Sequence, residues 1–352
     1  KAQPLDAKIL TPNGWTTMGE LKLQDKVCTP DGSFALIKGI YPQGIKSTYK
    51  ITFSDNASTE CCDEHLWTVQ TDWGRETGIY ITKSLNEIAK DYIHNSGSLK
   101  YSIPSIEKIF YETTKLQLDP YLLGILIGDG SFRSSLKEPL KGNVILTTSD
   151  QEVIDRVNPI LTKNNCLLHY KGKYHYSIIA PGKACTRPNY LNGELSSNPI
   201  KDSIMKLGLW NLRSEDKFIP KDYIFNSYEN RIALLEGLID SDGSVSNEGQ
   251  LHYTTTSKKL VDNLNELIRS LGGKTTFWEQ QGSFLGKDGR LCYQMNITLP
   301  NDIELKLISR KRARLTSNHR INKRYISKIE YIGEKEVQCI LIDSINHLYI
   351  TD

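Results

Sequence analysis

The chain has 352 residues, of which 38% are hydrophobic and 24% charged, with a net charge of +3. That mix excludes wholesale disorder and fibrous repeats, and no stretch reaches the roughly 20 apolar residues of a membrane span. The length predicts two or three domains, with cores large enough to need neither metal nor disulfides. Seven cysteines without a C-x-x-C pair argue against a disulfide framework or a structural zinc. With no charged start and apolar run in the opening residues, they predict a reducing, cytoplasmic setting.

In chain order, the opening reads as short strands. Thr11-Pro12-Asn13-Gly14 and Pro30-Asp31-Gly32 are turn signals. Phe34 to Ile40, Thr48 to Phe53 and Leu66 to Val69 are predicted strands in an all-β module. At Asp119-Pro120 the texture changes: a capping carboxylate precedes a proline at the first helical position. The apolar run Leu122 to Ile127 comes next and ends at Gly128-Asp129-Gly130. Asn226 and Glu229 resemble a capping box before a second run, Leu234 to Ile239, which ends at Asp240-Ser241-Asp242-Gly243.

The two runs superpose at one fixed offset, and the segments downstream of them repeat as well. Val144 to Ser149 predicts a strand leading into a helix with Val153, Ile154 and Val157. Leu251 to Ser257 leads likewise into a helix with Leu260, Val261, Leu264 and Leu267. The spacing predicts an internal duplication, two copies forming a pseudo-dimer. Gly124 with Gly128, and Gly237 with Ser241, are small residues four apart, which lets two helices approach closely. Asp129 and Asp242 would then lie side by side. Adjacent carboxylates repel unless they share protons or bind a cation, and an oxygen donor set suits Mg²⁺, whose usual partner is phosphate. The last thirty residues return to strand character at Tyr325 to Tyr331, Glu336 to Asp343 and Leu348 to Thr351. From Arg310 to Lys328 there are eight Lys or Arg and no acid, which suits either a solvated face or an anionic partner such as nucleic acid.

Leu123 to Gly130 and Leu235 to Gly243 resemble the signature of the LAGLIDADG homing endonucleases. The resemblance implies that Asp129 and Asp242 hold Mg²⁺ and activate water to hydrolyse both strands of double-stranded DNA. Lys217-Phe218-Ile219-Pro220 resembles the lysine-bearing element of intein-borne members, which makes Lys217 catalytic. Its counterpart in the second half is expected around Lys311, and Lys311, Arg312 and Arg314 are expected to contact DNA.

The flanks extend the resemblance to inteins of this class. Ala2 to Gly14 is similar to an intein start, with Ala2 at the splice junction where Cys or Ser is usual. Glu60 to Trp67 resembles the T-x-x-H element, with Cys62 in the place of Thr. The resemblance makes His65 the proton donor to the scissile amide and Cys62 a supporting residue. Gln338 to Asp343 and His347 to Asp352 resemble the penultimate intein strands, giving Cys339 and His347 splicing roles. In a minority class a Cys at the place of Cys339 attacks the upstream junction directly, paired with a Trp two residues after the motif His, here Trp67. Cys at this place also occurs in ordinary inteins, where it assists.

The implied chain is multidomain: an all-β splicing (HINT) module interrupted by a duplicated α/β LAGLIDADG pseudo-dimer. Residues 1–115 form the first part of the splicing domain plus a connector. Residues 116–320 form the endonuclease, with repeats at about 116–225 and 226–320, and residues 321–352 form the C-terminal part of the splicing domain, which is expected to be incomplete. The partners implied are the DNA recognition site and host flanks (exteins) in cis, with no membrane partner, a monomeric state and no cofactor for splicing. With Ala2 first and the terminal Asn absent, the chain is expected to be splicing-inactive. The alternative is a freestanding LAGLIDADG DNA-binding regulator with an accessory β module.

Overall fold

The computed structural model describes residues 2–135, 138–180, 198–284, 287–316 and 323–351. Lys1, Cys185, Arg320 and Asp352 lie outside them. The chain forms two compact units: Lys1–Glu112 with Ser270–Gly272 and Arg320–Asp352, and Thr113–Arg269 with Gly273–His319.

The first unit is built on one six-stranded antiparallel sheet. Its main path runs Gln3–Pro4, Arg324–Ile342, Phe34–Phe53 and Lys26–Cys28. Ser58–Cys62 also pairs with Phe34–Phe53, and Ser102–Ile103 with Arg324–Ile342. The two strands expected at Phe34 to Ile40 and Thr48 to Phe53 are one 20-residue strand. Pro42-Gln43-Gly44 reads as a break, but the ladder absorbs it as a bulge, with Val337 opposite Gly44 and Gln338 opposite Pro42. Leu348 to Thr351 forms no continuous strand: it makes an isolated bridge, Thr351 to Ile9, and Ile350 makes single backbone bonds with Leu10 and Cys28. Two short helices, Asp72–Thr77 and Leu85–Ala89, depart from a purely β module. Among the described residues, the two larger apolar clusters of the unit lie around Ile9, Met18, Val27 and Ile37 and around Ile51, Val69, Leu85 and Ile326. Gly32 is fixed by its turn: its φ is +80°, and a Cβ there would lie 2.0 Å from the Lys108 carbonyl oxygen.

The second unit repeats one order of elements. A motif helix, Pro120–Asp129, enters the strands Gly130–Ser135 and Glu138–Thr147, then a flanking helix, Gln151–Lys163, then Leu167–Gly172 and His175–Ile179. A second motif helix, Tyr228–Ser241, enters Gly243–Val245 and Leu251–Thr255, then a flanking helix, Lys258–Ser270, then Lys274–Phe284 and Lys287–Thr298. Each half has a four-stranded sheet with its strands in the order first, second, fourth, third. Asp119 caps the first motif helix, accepting from Leu122 N at 3.1 Å. The second is capped by Ser227, not by Asn226 as expected. Asn226 Oδ1 accepts from Ser227 N at 2.9 Å and from Asn230 Nδ2 at 2.7 Å, so it braces the turn before the cap.

The two motif helices pack backbone to backbone. A Cβ at Gly124 would sit 2.5 Å from the Leu234 carbonyl oxygen, and one at Gly237 would sit 2.3 Å from the Tyr121 carbonyl oxygen. Both obstacles are main chain, which cannot swing aside. Gly237→Ala should therefore force the helices apart and lower stability by about 1–3 kcal/mol, the usual cost of overpacking. Urea unfolding of the variant would show a lower midpoint; an unchanged midpoint would mean that the helix contact yields.

Candidate functional site

The close contact sets the position of both acids. Asp129 is the last residue of the first motif helix, and Asp242 caps the end of the second. A Cβ on Gly128 would lie 2.1 Å from Ser241 Oγ and 3.3 Å from Asp242 Cγ, so the two helix ends meet here with no room for a side chain. Asp129 is pushed up to about 6, first by burial and then by the Asp242 charge, with Lys311 and Lys217 opposing. Burial likewise raises Asp242, against the pull of Lys217 and Lys311.

Tyr253, on the strand that pairs with Gly243, is buried beside both acids. Burial and the two carboxylates push its phenol well above the ordinary value. Its hydroxyl has no hydrogen-bond partner among the described residues. Two desolvated carboxylates and an unpartnered phenol are a donor set that a hard divalent cation would fit. Mg²⁺ is commonly held by only one or two carboxylates, with water and phosphate completing its shell. Among the described residues no cluster of three His, Cys, Asp or Glu offers a fuller cage.

Each motif helix ends over its own buried lysine. Lys217 Nζ donates to the carbonyls of Ile127 at 2.6 Å and Gly130 at 2.7 Å, with Leu126 and Gly128 at 3.3 and 3.4 Å. Lys311 Nζ donates to the carbonyls of Ile239, Asp240 and Ser241 at 2.6, 2.9 and 3.3 Å. The carbonyls of a helix's last turn have no intrahelical partners and carry the negative end of its dipole, so an ammonium there is favourable. Burial pulls Lys311 down to about 8, Arg310 adding to the effect and Asp240, Asp150 and Asp129 opposing it. A cleft of about 220 Å³ opens at the site, lined by Gly128, Ser214, Lys217, Asp242, Thr254 and Thr256 among others.

Lys217 follows a short 3-10 turn, Ser214–Asp216, and precedes the helix Lys221–Ile224. Lys311 is only 4% exposed and belongs with Lys217 instead of on a DNA-facing surface, because its charge is held by carbonyls. Arg312 and Arg314 are exposed. The rest of the basic stretch is dispersed over partners: Arg310 on Asp150, Lys323 on Gln70, Arg324 on Asp55 and Lys328 on Glu330. Arg320 lies outside the described residues.

Sequence reasoning missed Arg156, Glu236 and Asp240. Arg156 pairs with both acids and lies 3.7 Å over the Tyr121 ring, whose hydroxyl donates to Asp240 at 3.0 Å. The signals visible in the chain are Glu236 and Asp240 themselves, acids inside an apolar helix where the first copy has Leu123 and Ile127.

In the first unit, Ala2, Cys62 and Val337 form a buried cluster with Cys339 packed against it. The Ala2 carbonyl accepts from Cys62 N at 3.2 Å and faces His65 Nδ1 at 3.2 Å. His65 stands against Trp67 at 5.4 Å, and Trp67 packs edge-on against Phe53. His347 sits in the turn after the long strand, its Nδ1 3.1 Å from the Ile342 carbonyl. No sequence pattern points to the Gln3 network, in which Gln3 meets Tyr349 Oη at 2.8 Å and Thr351 Oγ1 at 3.3 Å.

Residues 229–330 match a family model described as a LAGLIDADG-like domain. Among curated proteins the chain is similar to the replicative DNA helicase DnaB of Mycobacterium intracellulare, 22% identical over 371 residues. That match covers 99% of this chain and 57% of the relative, so the chain spans little more than half its length. The DnaB of Nostoc sp. is 22% identical over 283 residues, covering 77% of this chain and 28% of that one. Of solved structures, the Msm DnaB1 intein splicing domain, bound with zinc, is 29% identical at a TM-score of 0.19, covering 19% of this chain and 54% of that one. Mesophilic variants of the homing endonuclease I-DmoI are 16% identical at a TM-score of 0.35, covering 52% and 89%. Residues 229–330 are thus similar to a LAGLIDADG-like domain, and the chain as a whole resembles an intein that contains such an endonuclease. No described helix is long and apolar enough to cross a membrane.

The acids give a pH signature. A carboxyl whose folded pKa lies above its unfolded value opposes folding once ionised. For Asp129 the penalty is absent below 3.8 and complete above about 6. Asp129→Asn should therefore melt higher than the parent at pH 7.5 in chelator, by up to about 3 kcal/mol. The gap should close near pH 4. Equal melting at both pH values would mean that Asp129 is not desolvated.

Proposed function

We propose that this chain is an intein that excises itself from a host protein, and that its inserted endonuclease makes a site-specific double-strand DNA break for homing. The observation that carries the nuclease reading is the pair of acid-bearing helix ends, side by side, each over its own buried lysine. In this reading residues 1–115 and 321–352 serve splicing, and residues 116–320 are a duplicated pseudo-dimer with repeats at about 116–225 and 226–320. The two sheets, with Arg312 and Arg314, lie on the DNA. The similarity to DnaB suggests a DnaB-like, cytoplasmic host, and the chain acts as a monomer.

Asp129 and Asp242 would hold Mg²⁺, which when bound lowers the pKa of a water and offsets charge on phosphate. The chain's own residues do the rest. The carboxylates orient the attacking water, one half-site for each strand. Lys217 and Lys311 keep their ammonium groups fixed at the helix ends, where negative charge builds up on the phosphate. The packed helices keep this geometry without reorganisation.

For splicing, the Cys339 thiolate attacks the Lys1 carbonyl carbon, a thioester forms, the Lys1–Ala2 amide breaks, and His65 delivers the proton to the departing Ala2 nitrogen. Cys339, packed against the cluster that holds Ala2, favours this route over initiation by a first-residue nucleophile, which Ala2 lacks, so that Ala2 alone does not make the chain splicing-inactive. Cys62 and Trp67 hold His65 and the junction in place, and no cofactor is needed. His347 acts near the downstream junction.

Asp129→Asn or Asp242→Asn should reduce double-strand cleavage at least about 100-fold while DNA affinity stays within twofold or so. Parental cleavage by either variant would remove the assignment. With flanks on both sides, the parent should form a branched thioester at Cys339 and Cys339→Ala should not. If Ala2→Cys is needed before any product appears, Cys339 does not initiate.

A further inference from the structure

The two flanking helices are each 13 residues long and carry polar side chains at matching places. The residue before the helix, the second and the sixth are Asp150, Glu152 and Arg156 in one, and Ser257, Lys259 and Asn263 in the other. All six touch a segment that delivers a lysine, and each triplet touches the segment of the opposite half. Ser257 Oγ donates to the Lys217 carbonyl at 2.6 Å, Lys259 Nζ lies 3.8 Å over the Phe218 ring, and Asn263 Oδ1 accepts from Ile219 N at 3.0 Å. On the other side Asp150 receives Arg310 in two bonds at 3.0 and 2.8 Å. Glu152 accepts from Ser309 N and Oγ at 2.9 and 2.8 Å, and Arg156 donates to the Lys306 carbonyl.

We propose that Asn263 and Arg156 are positioning residues for Lys217 and Lys311, so that each half-site is assembled by the flanking helix of the other half. A lysine reaches a fixed set of carbonyls only if its own backbone is fixed, and neither delivering segment belongs to a sheet. Asn263 holds the backbone two residues beyond Lys217. Arg156 holds the segment five residues before Lys311, and it also bridges Glu236 and Asp240, which accept from the backbone N–H groups of Lys306 and Ile308 at 2.6 and 3.0 Å. The first half has no such carboxylates, because Leu123 and Ile127 stand in their places. Each lysine arm can thus fail separately, although both flanking helices pack into one unit.

The test reads the lysines directly, without metal or DNA. The full chain is treated with limiting acetic anhydride, and peptides bearing Lys217, Lys311 and the exposed Lys90 are quantified by mass spectrometry. Asn263→Ala should speed acetylation of Lys217 relative to Lys90 about tenfold, as for a buried group that has lost a local anchor, and leave Lys311 unchanged. Asn263→Asp keeps the acceptor and should restore protection. Arg156→Gln should do the converse at Lys311. Since it also leaves two buried acids unpaired, a general rise at both lysines there passes the decision to Asn263→Ala. If Asn263→Ala exposes neither lysine, or both equally, the proposal is overturned.

A second arm rests on the nuclease reading: with Mg²⁺ and a supercoiled plasmid bearing the uninterrupted host gene, the two variants should nick opposite strands in place of cutting both. Labelling that responds in a chain whose parent never cuts would overturn the nuclease reading alone. A parent that cuts, with labelling unmoved, would overturn the positioning.

Discussion

Two helices cannot bring their carboxyl-terminal ends together without joining two negative poles. Here Gly124 and Gly237 bring the motif helices into main-chain contact, and the residues at their ends add two carboxylates to the unpaired carbonyls. Everything else in the unit answers that concentration of charge. Lys217 and Lys311 lie buried against the last turns, where a lysine would otherwise lose its hydration for nothing. Even with both present, Asp129 stays well above its ordinary pKa. The excess of negative charge that remains is what a divalent cation would offset.

The same constraint explains why polar residues are so costly to misplace nearby. Glu236 and Asp240 each spend their oxygens on backbone N–H groups and Arg156. Removing Arg156 would take the cation from two buried acids, Glu236 and Asp240, whereas replacing Asn263 would leave no charge unmatched. The two halves therefore reach similar lysine geometry by chemically different supports, one ionic and one neutral.

The elements legible in the sequence are those whose cause is local. The Asp119 cap, the glycine spacing, the helix-ending acids and the strand-to-helix order within each half all depend on neighbours a few residues apart. Lys217 is legible only as part of a resemblance. Lys311 is legible only as the expected counterpart of Lys217, within a stretch of arginines that also reads as a DNA-facing surface, because nothing nearby in sequence reveals that Ile239 and Asp240 offer it their carbonyls. Arg156 acts on residues 80 and 84 positions away and leaves no pattern at all. Asn226 loses the cap to Ser227 because its amide is better used bracing the turn and reaching Thr114. The apparent break at Pro42-Gln43-Gly44 shows the opposite limit, for a long-range ladder carries a strand through residues whose local preference is to end one.

That ladder orders events in time. The strand Phe34–Phe53 pairs on one side with neighbours made within moments of it, Lys26–Cys28 and Ser58–Cys62. Its other edge is matched by Arg324–Ile342, which is also what Gln3–Pro4 pairs with. On the ribosome, at the usual 5–20 residues per second, roughly tens of seconds separate the two. Throughout that interval the nascent chain holds a long unpaired edge, a template for wrong partners. The second unit, with shorter-range pairings, can be complete before the first has its central strand. Any chemistry that depends on Ala2 meeting Cys339 is therefore held off until synthesis has passed the entire second unit: a delay written into strand order alone.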